Sequence, residues 1–66
     1  MDYLDAVRAM SKGAHVTRPG SMEDAGAYCA YDPETDRFYL VTITGERFKM
    51  EADLDDVFAE DWKVCS

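Results

Sequence analysis

Apolar and polar residues recur along this chain in two rhythms, and the changes between them mark its elements. Over residues 2–12, Tyr3, Leu4, Ala6, Val7 and Met10 form an apolar stripe with the period of a helix. Asp2 can accept from the first-turn amides, Asp5 follows three residues on, and Gly13 stands where a left-handed residue ends a helix. The period then falls to two. Residues 14–18 form a short alternating strand stopped by Pro19-Gly20, residues 21–26 a polar loop, and residues 27–31 a second strand. Asp32, Pro33 and Asp36 supply a turn before residues 38–44, the strand richest in β-branched and aromatic side chains. Gly45-Glu46 suits a two-residue hairpin turn, after which Arg47, Phe48, Lys49 and Met50 alternate charged and apolar.

The closing stretch changes rhythm twice. Asp53 and Asp56 form a capping-box pair for a short helix whose Leu54, Val57 and Phe58, at i, i+3 and i+4, make one buried face. Beyond Glu60-Asp61 the period returns to two, with Trp62 and Val64 on one side of a last strand. The order of elements predicts an α+β fold: an N-terminal helix packed on a small antiparallel sheet, with a short second helix before the last strand, in a single domain over residues 1–66.

One strand complicates that picture. Tyr39, Val41 and Ile43 line one face of residues 38–44 while Phe38 and Leu40 begin the other, so both faces are apolar. One helix covers one face only. A chain of 66 residues is short of core, which favours a second copy over the other face and predicts a homo-oligomer, a dimer or higher.

Composition narrows the classes. Two cysteines, Cys29 and Cys65, read as reduced thiols, and with a single histidine, His15, they give no zinc spacing. No apolar run is long enough to span a membrane and no leader is evident. Fourteen acidic against seven basic residues give a net charge of −7, which argues against a direct grip on nucleic acid. It leaves room for a small anion in a pocket of arginines, and also for an acidic inhibitor that binds a host protein by imitating nucleic acid. No nucleophile–base set, phosphate-cradling glycine loop or metal cluster stands out, so an enzyme is not expected and neither is a cofactor. Binding is better served: Arg18, Arg37, Arg47 and Lys49 lie on or beside strands and suit phosphate, while Tyr28, Tyr31, Tyr39 and Trp62 can stack on a base.

Three stretches resemble the phage Thoeris anti-defence "sponge" family: the opening helix ending in Lys12-Gly13, the Val16-Thr17-Arg18 that follows, and the aspartate-led short helix running into Ala59-Glu60-Asp61-Trp62-Lys63-Val64. Together they cover about half the chain, and the closing pattern is the more specific part. Proteins of that kind are α+β oligomers that bind nucleotide second messengers of bacterial immunity without cleaving them; cyclic ADP-ribose derivatives, other ADP-ribose conjugates and cyclic oligonucleotides are their ligands. The resemblance implies sequestration of such a signal in the host cytoplasm, with arginine on the pyrophosphate, an aromatic ring on the base and a carboxylate on the ribose. Arg18, Asp61 and Trp62 match the motif; Arg47, Tyr28 and Tyr39 complete the expected ligand site from the strand reading. Many members also carry a tryptophan shortly after the arginine, where this chain has Gly20-Ser21-Met22.

Overall fold

Helix α1 (Tyr3–Ser11) starts where the Asp2 side chain accepts the Asp5 amide at 2.8 Å, in a computed structural model that describes residues 1–66. Strands β1 (Val16–Thr17), β2 (Tyr28–Asp32), β3 (Arg37–Val41), β4 (Arg47–Lys49) and β5 (Lys63–Val64) form one antiparallel sheet in the order β4-β3-β2-β1-β5. A short 3₁₀ turn (Glu23–Ala25) lies in the loop before β2, and helix α2 (Leu54–Phe58) precedes β5. The α+β architecture is the one the sequence pattern predicts. No helix is long and apolar enough to cross a membrane.

The core lies between α1 and one face of the sheet. Ala6 and Met10, one turn apart, meet Val16, Cys29 and Trp62, with Tyr31, Phe38, Leu40 and Met50 packed around them. Trp62 is the largest fully buried side chain, 1% exposed. Its ring tilts against Tyr3 at 5.7 Å between centroids, and its indole Nε1 donates to the Asp56 carbonyl at 2.9 Å.

Two local expectations are corrected. Leu54, Val57 and Phe58 do not form a buried face: Leu54 is 72% and Phe58 76% exposed. A five-residue helix is too short to lay a stripe on the sheet. It is held instead by polar groups, through the Asp53–Asp56 capping box at its start and the bonds that Asp56, its middle residue, makes to Arg18 and Trp62. The second correction concerns the hairpin. β3 stops at Val41, and the loop has three residues rather than two. The Thr42 amide donates to the Glu46 carbonyl and the Gly45 amide to the Thr42 carbonyl, both at 2.9 Å, while Gly45 sits at φ 87°. This is a turn closed by a left-handed glycine, the usual three-residue hairpin.

This turn resets the register. A two-residue loop at Gly45-Glu46 would set Arg47 opposite Thr44 and Lys49 opposite Thr42, on the face of Phe38 and Leu40. In the structure Arg47 stands opposite Val41, and Lys49 opposite Tyr39. The pairing differs by three residues, and any odd shift sends every side chain to the other face. The two cations are thereby moved off the helix side and onto the face that carries Tyr39.

Candidate functional site

The six residues expected to form a ligand site separate into two groups on opposite faces of the sheet. On the helix side, Arg18 follows β1 and Asp61 and Trp62 precede β5. Arg18 Nε donates to Asp61 at 2.9 Å, and its NH1 donates to Asp56 at 2.7 Å. The guanidinium carbon lies 6.0 Å from the Trp62 ring centroid. These bonds hold the Asp61 carboxyl below its ordinary range and push Arg18 further up, through the Asp61 hydrogen bond first and the Asp56 bond second. Arg18 is engaged through Nε and NH1, and Trp62 is buried, so the residues expected to hold pyrophosphate and base are tied to one another and to the core.

The second group lies on the face that α1 does not cover. Strand alternation places Arg37, Tyr39 and Val41 of β3 there, beside Arg47 and Lys49 of β4. Arg47 reaches diagonally across the pair to stack its guanidinium 4.5 Å from the Tyr39 ring centroid. Tyr28, further along the same face, is stacked on His15 at 4.4 Å with the rings 16° apart, a separate aromatic pair.

Charge sets this second group apart. The four ion pairs of the fold take up Arg8, Arg18 and Lys63, with Asp5, Asp56, Asp61 and Glu23 as partners. Of the four cations without an ion-pair partner, Lys12 stands alone after α1, and Arg37, Arg47 and Lys49 share this face, although the chain carries fourteen acidic residues. These three line a hollow of about 260 Å³ together with Tyr39, Asp32, Thr35, Phe38 and Phe48. Asp32 accepts the Glu34 amide through one carboxylate oxygen at 3.0 Å. Three cations outnumber the one carboxylate, Asp32, in this hollow, a balance that suits an anion, and the two guanidinium groups suit planar, bidentate acceptors such as phosphate.

The sequence marks Arg37, Arg47 and Lys49 as strand-borne cations suited to phosphate and places Arg47 and Tyr39 in the expected site, without Arg37, Lys49, Asp32 or Thr35 in that set. The signal for the two cations was period-two alternation in adjacent strands, which becomes decisive only once the hairpin register is known. No group of three or more His, Cys, Asp or Glu side chains is placed to hold a metal ion. Comparison with protein-family models, curated protein sequences and solved structures gives no match.

Proposed function

We propose that this chain binds, and does not convert, a small phosphorylated ligand that carries a flat ring, and so withholds a nucleotide signal from its receptor. The observation that carries this reading is the set Arg37, Arg47 and Lys49 around Tyr39, left without carboxylate partners on a protein of net charge −7. In this arrangement Arg37 and Lys49 take phosphate oxygens. Arg47, already flat on Tyr39, offers its outer face to a base and its edge to phosphate. Asp32 and Thr35 face the ribose hydroxyls. On this reading the ligand is held and leaves as it arrived.

The hollow of about 260 Å³ is smaller than the roughly 300–1,000 Å³ of ordinary small-molecule sites. A dinucleotide-sized ligand would therefore lie half on the open sheet face unless a second copy roofs it. Exposed Leu54 and Phe58 favour self-association, and Phe58→Asp should yield a smaller species by sedimentation with helix content unchanged. The resemblance of the chain's two ends to the sponge proteins makes immune second messengers in a host bacterium the first ligands to try.

The test is thermal shift against ADP-ribose derivatives and cyclic di- and trinucleotides, followed by mass spectrometry of ligand released by heat. Binding stabilises by mass action, so micromolar affinity is visible at excess ligand. A flat melting temperature across the whole panel sinks the reading, and recovery of a cleaved product makes the protein an enzyme.

A second reading has its own support. Residues 51–61 carry six acidic side chains and no Lys or Arg; Asp56 and Asp61 are paired with Arg18, while Glu51, Asp53, Asp55 and Glu60 lie exposed beside the exposed Leu54 and Phe58 in sequence. An acidic surface with an apolar ridge suits a basic host protein. Salt-sensitive co-purification lost in Phe58→Asp, together with a flat nucleotide panel, would favour it.

A further inference from the structure

The two edges of the sheet are not alike. Beside β5, the Trp62 amide donates to the Met1 carbonyl at 3.1 Å, and the Met1 amino group donates back to the Trp62 carbonyl at 2.8 Å. That edge is partly closed by the chain itself. The β4 edge is open. Met50 donates to Phe38 and Thr42 to Glu46, so by antiparallel alternation the hydrogen-bonded pair between them is Leu40–Phe48. The amides and carbonyls of Arg47 and Lys49 therefore point away from β3, and no turn or loop hydrogen bond reaches them. Phe48 sends its ring to the α1 side, where it is 52% exposed, while Arg47 and Lys49 send their side chains to the opposite face.

A second copy is a poor occupant of this edge. Two-fold antiparallel pairing centred on Phe48 would set Arg47 opposite Lys49 of the other copy twice over, and like charges directly opposite destabilise a sheet. Short charged strands do protect edges from aggregation. Protection, however, gives no role to a half-exposed phenylalanine at the centre of the strand. The cations that repel a copy of this edge attract a strand of the opposite sign.

We propose that β4 docks an extended acidic segment of a partner protein, added antiparallel as a sixth strand. Its central pattern is acid–apolar–acid. The apolar residue lies opposite Phe48 on the helix side, and the two acidic residues lie opposite Arg47 and Lys49, exchanging backbone hydrogen bonds with them. This goes beyond the small-ligand reading and does not depend on it. Because both use the side chains of Arg47 and Lys49, an acidic strand and a phosphorylated ligand compete.

The register makes the proposal testable atom by atom. The probe is a fluorophore-labelled, amidated peptide, Ser-Thr-Glu-Ile-Glu-Thr-Ser, followed by fluorescence anisotropy. N-methylation of both glutamate amides, which donate to Arg47 and Lys49 carbonyls, should weaken binding roughly tenfold or more. N-methylation of the isoleucine amide, which faces away from β4, should leave it unchanged. The double variant Arg47→Glu with Lys49→Glu should lose this peptide and bind the version with lysines in place of both glutamates. Absence of peptide binding at millimolar concentration overturns the proposal. So does equal sensitivity, or equal indifference, to the two kinds of N-methylation. Failure of the charge swap in a variant whose circular dichroism matches the parent removes the recognition assigned to Arg47 and Lys49. Nucleotide thermal shifts on the parent protein report separately on the small-ligand reading.

Discussion

Arg18 and Trp62 stand opposite each other where β1 and β5 run out, one pair beyond Thr17 and Lys63, with the guanidinium 6.0 Å from the indole centroid. Asp56 and Asp61 hold the guanidinium from the other side, and Asp56 also accepts the indole N–H through its carbonyl. One arginine thereby ties the end of β1 to the capped turn of α2 and to the lead-in to β5.

Arg18→Ala should lower the thermal midpoint by more than Arg8→Ala does. Arg8 makes only an exposed pair with Asp5 at 3.7 Å, one helical turn away. Arg18→Ala leaves Asp56, whose side chain is 16% exposed, with its acceptor oxygens short of a partner. Nucleotide affinity should be unaffected, because Arg18 lies across the sheet from the hollow. Trp62→Ala removes the largest core side chain and should cost about 3–5 kcal/mol, most of the stability of so small a domain. Urea melts of the three variants, with nucleotide titrations of the two arginine variants, check the order.

The Arg18–Asp61 bond also sets an acid limit. Asp61 is held below its ordinary value of 3.8, mainly by that hydrogen bond. A carboxylate with a depressed folded pKa contributes stability that is present above the unfolded value and is lost as pH falls through the folded one. Stability should therefore drop as pH is lowered from about 4. In Arg18→Ala the Asp61 contribution is gone at every pH, so the acid limb of its stability curve should be shallower. Parallel limbs for the two proteins would contradict this assignment.

For the open face, Arg47→Ala should weaken a phosphorylated ligand by roughly tenfold or more, the worth of one hydrogen bond to a charged group. Lys49→Ala should do less, since an ammonium meets phosphate as a point charge and not a fork. Neither residue is buried, so melting temperatures without ligand should stay close to the parent's. Calorimetric titration at two salt concentrations separates these charge effects from base stacking at Tyr39.

The two thiols should behave differently. Cys29 is buried, and desolvation raises its pKa from 9.0 to about 11. Cys65 is exposed. At pH 8 a thiol reagent should titrate Cys65 quickly and reach Cys29 only on addition of denaturant. The raised folded pKa of Cys29 contributes stability that is intact below pH 9 and is lost as pH rises through about 11.

The elements were legible wherever one short-range rule governed them. Asp2 and Asp53 fixed the helix starts, and the alternation of Arg47, Phe48, Lys49 and Met50 announced β4. Two things were not legible. Leu54, Val57 and Phe58 have helical spacing, but spacing cannot tell a face that packs from one that is merely apolar, and α2 is anchored by polar atoms of Asp53 and Asp56. At the hairpin, Gly45-Glu46 has the composition of a complete two-residue turn, yet the strands pair three residues away from the register it implies. The decision fell to Thr42, whose amide, carbonyl and hydroxyl oxygen all bond across the loop to Gly45 or Glu46. That single residue decides on which face Arg47 and Lys49 emerge. For the same reason, a site argued from motif-matched Arg18, Asp61 and Trp62 gave way to one built across β3 and β4.

The position of β5 beside β1 has a kinetic consequence. β2, β3 and β4 form a meander that can zip from neighbouring residues. Arg18 and Asp61, by contrast, are 43 residues apart, and bringing them together requires closing a long loop before any contact is gained. Until then the pocket between Met10, Val16 and Cys29 has no filler. As the only tryptophan, Trp62 should report this last docking step alone. In stopped-flow refolding its fluorescence should lag behind the circular dichroism of the meander and of α1. On the ribosome, the fold should stay incomplete until Asp61 and Trp62 have left the exit tunnel.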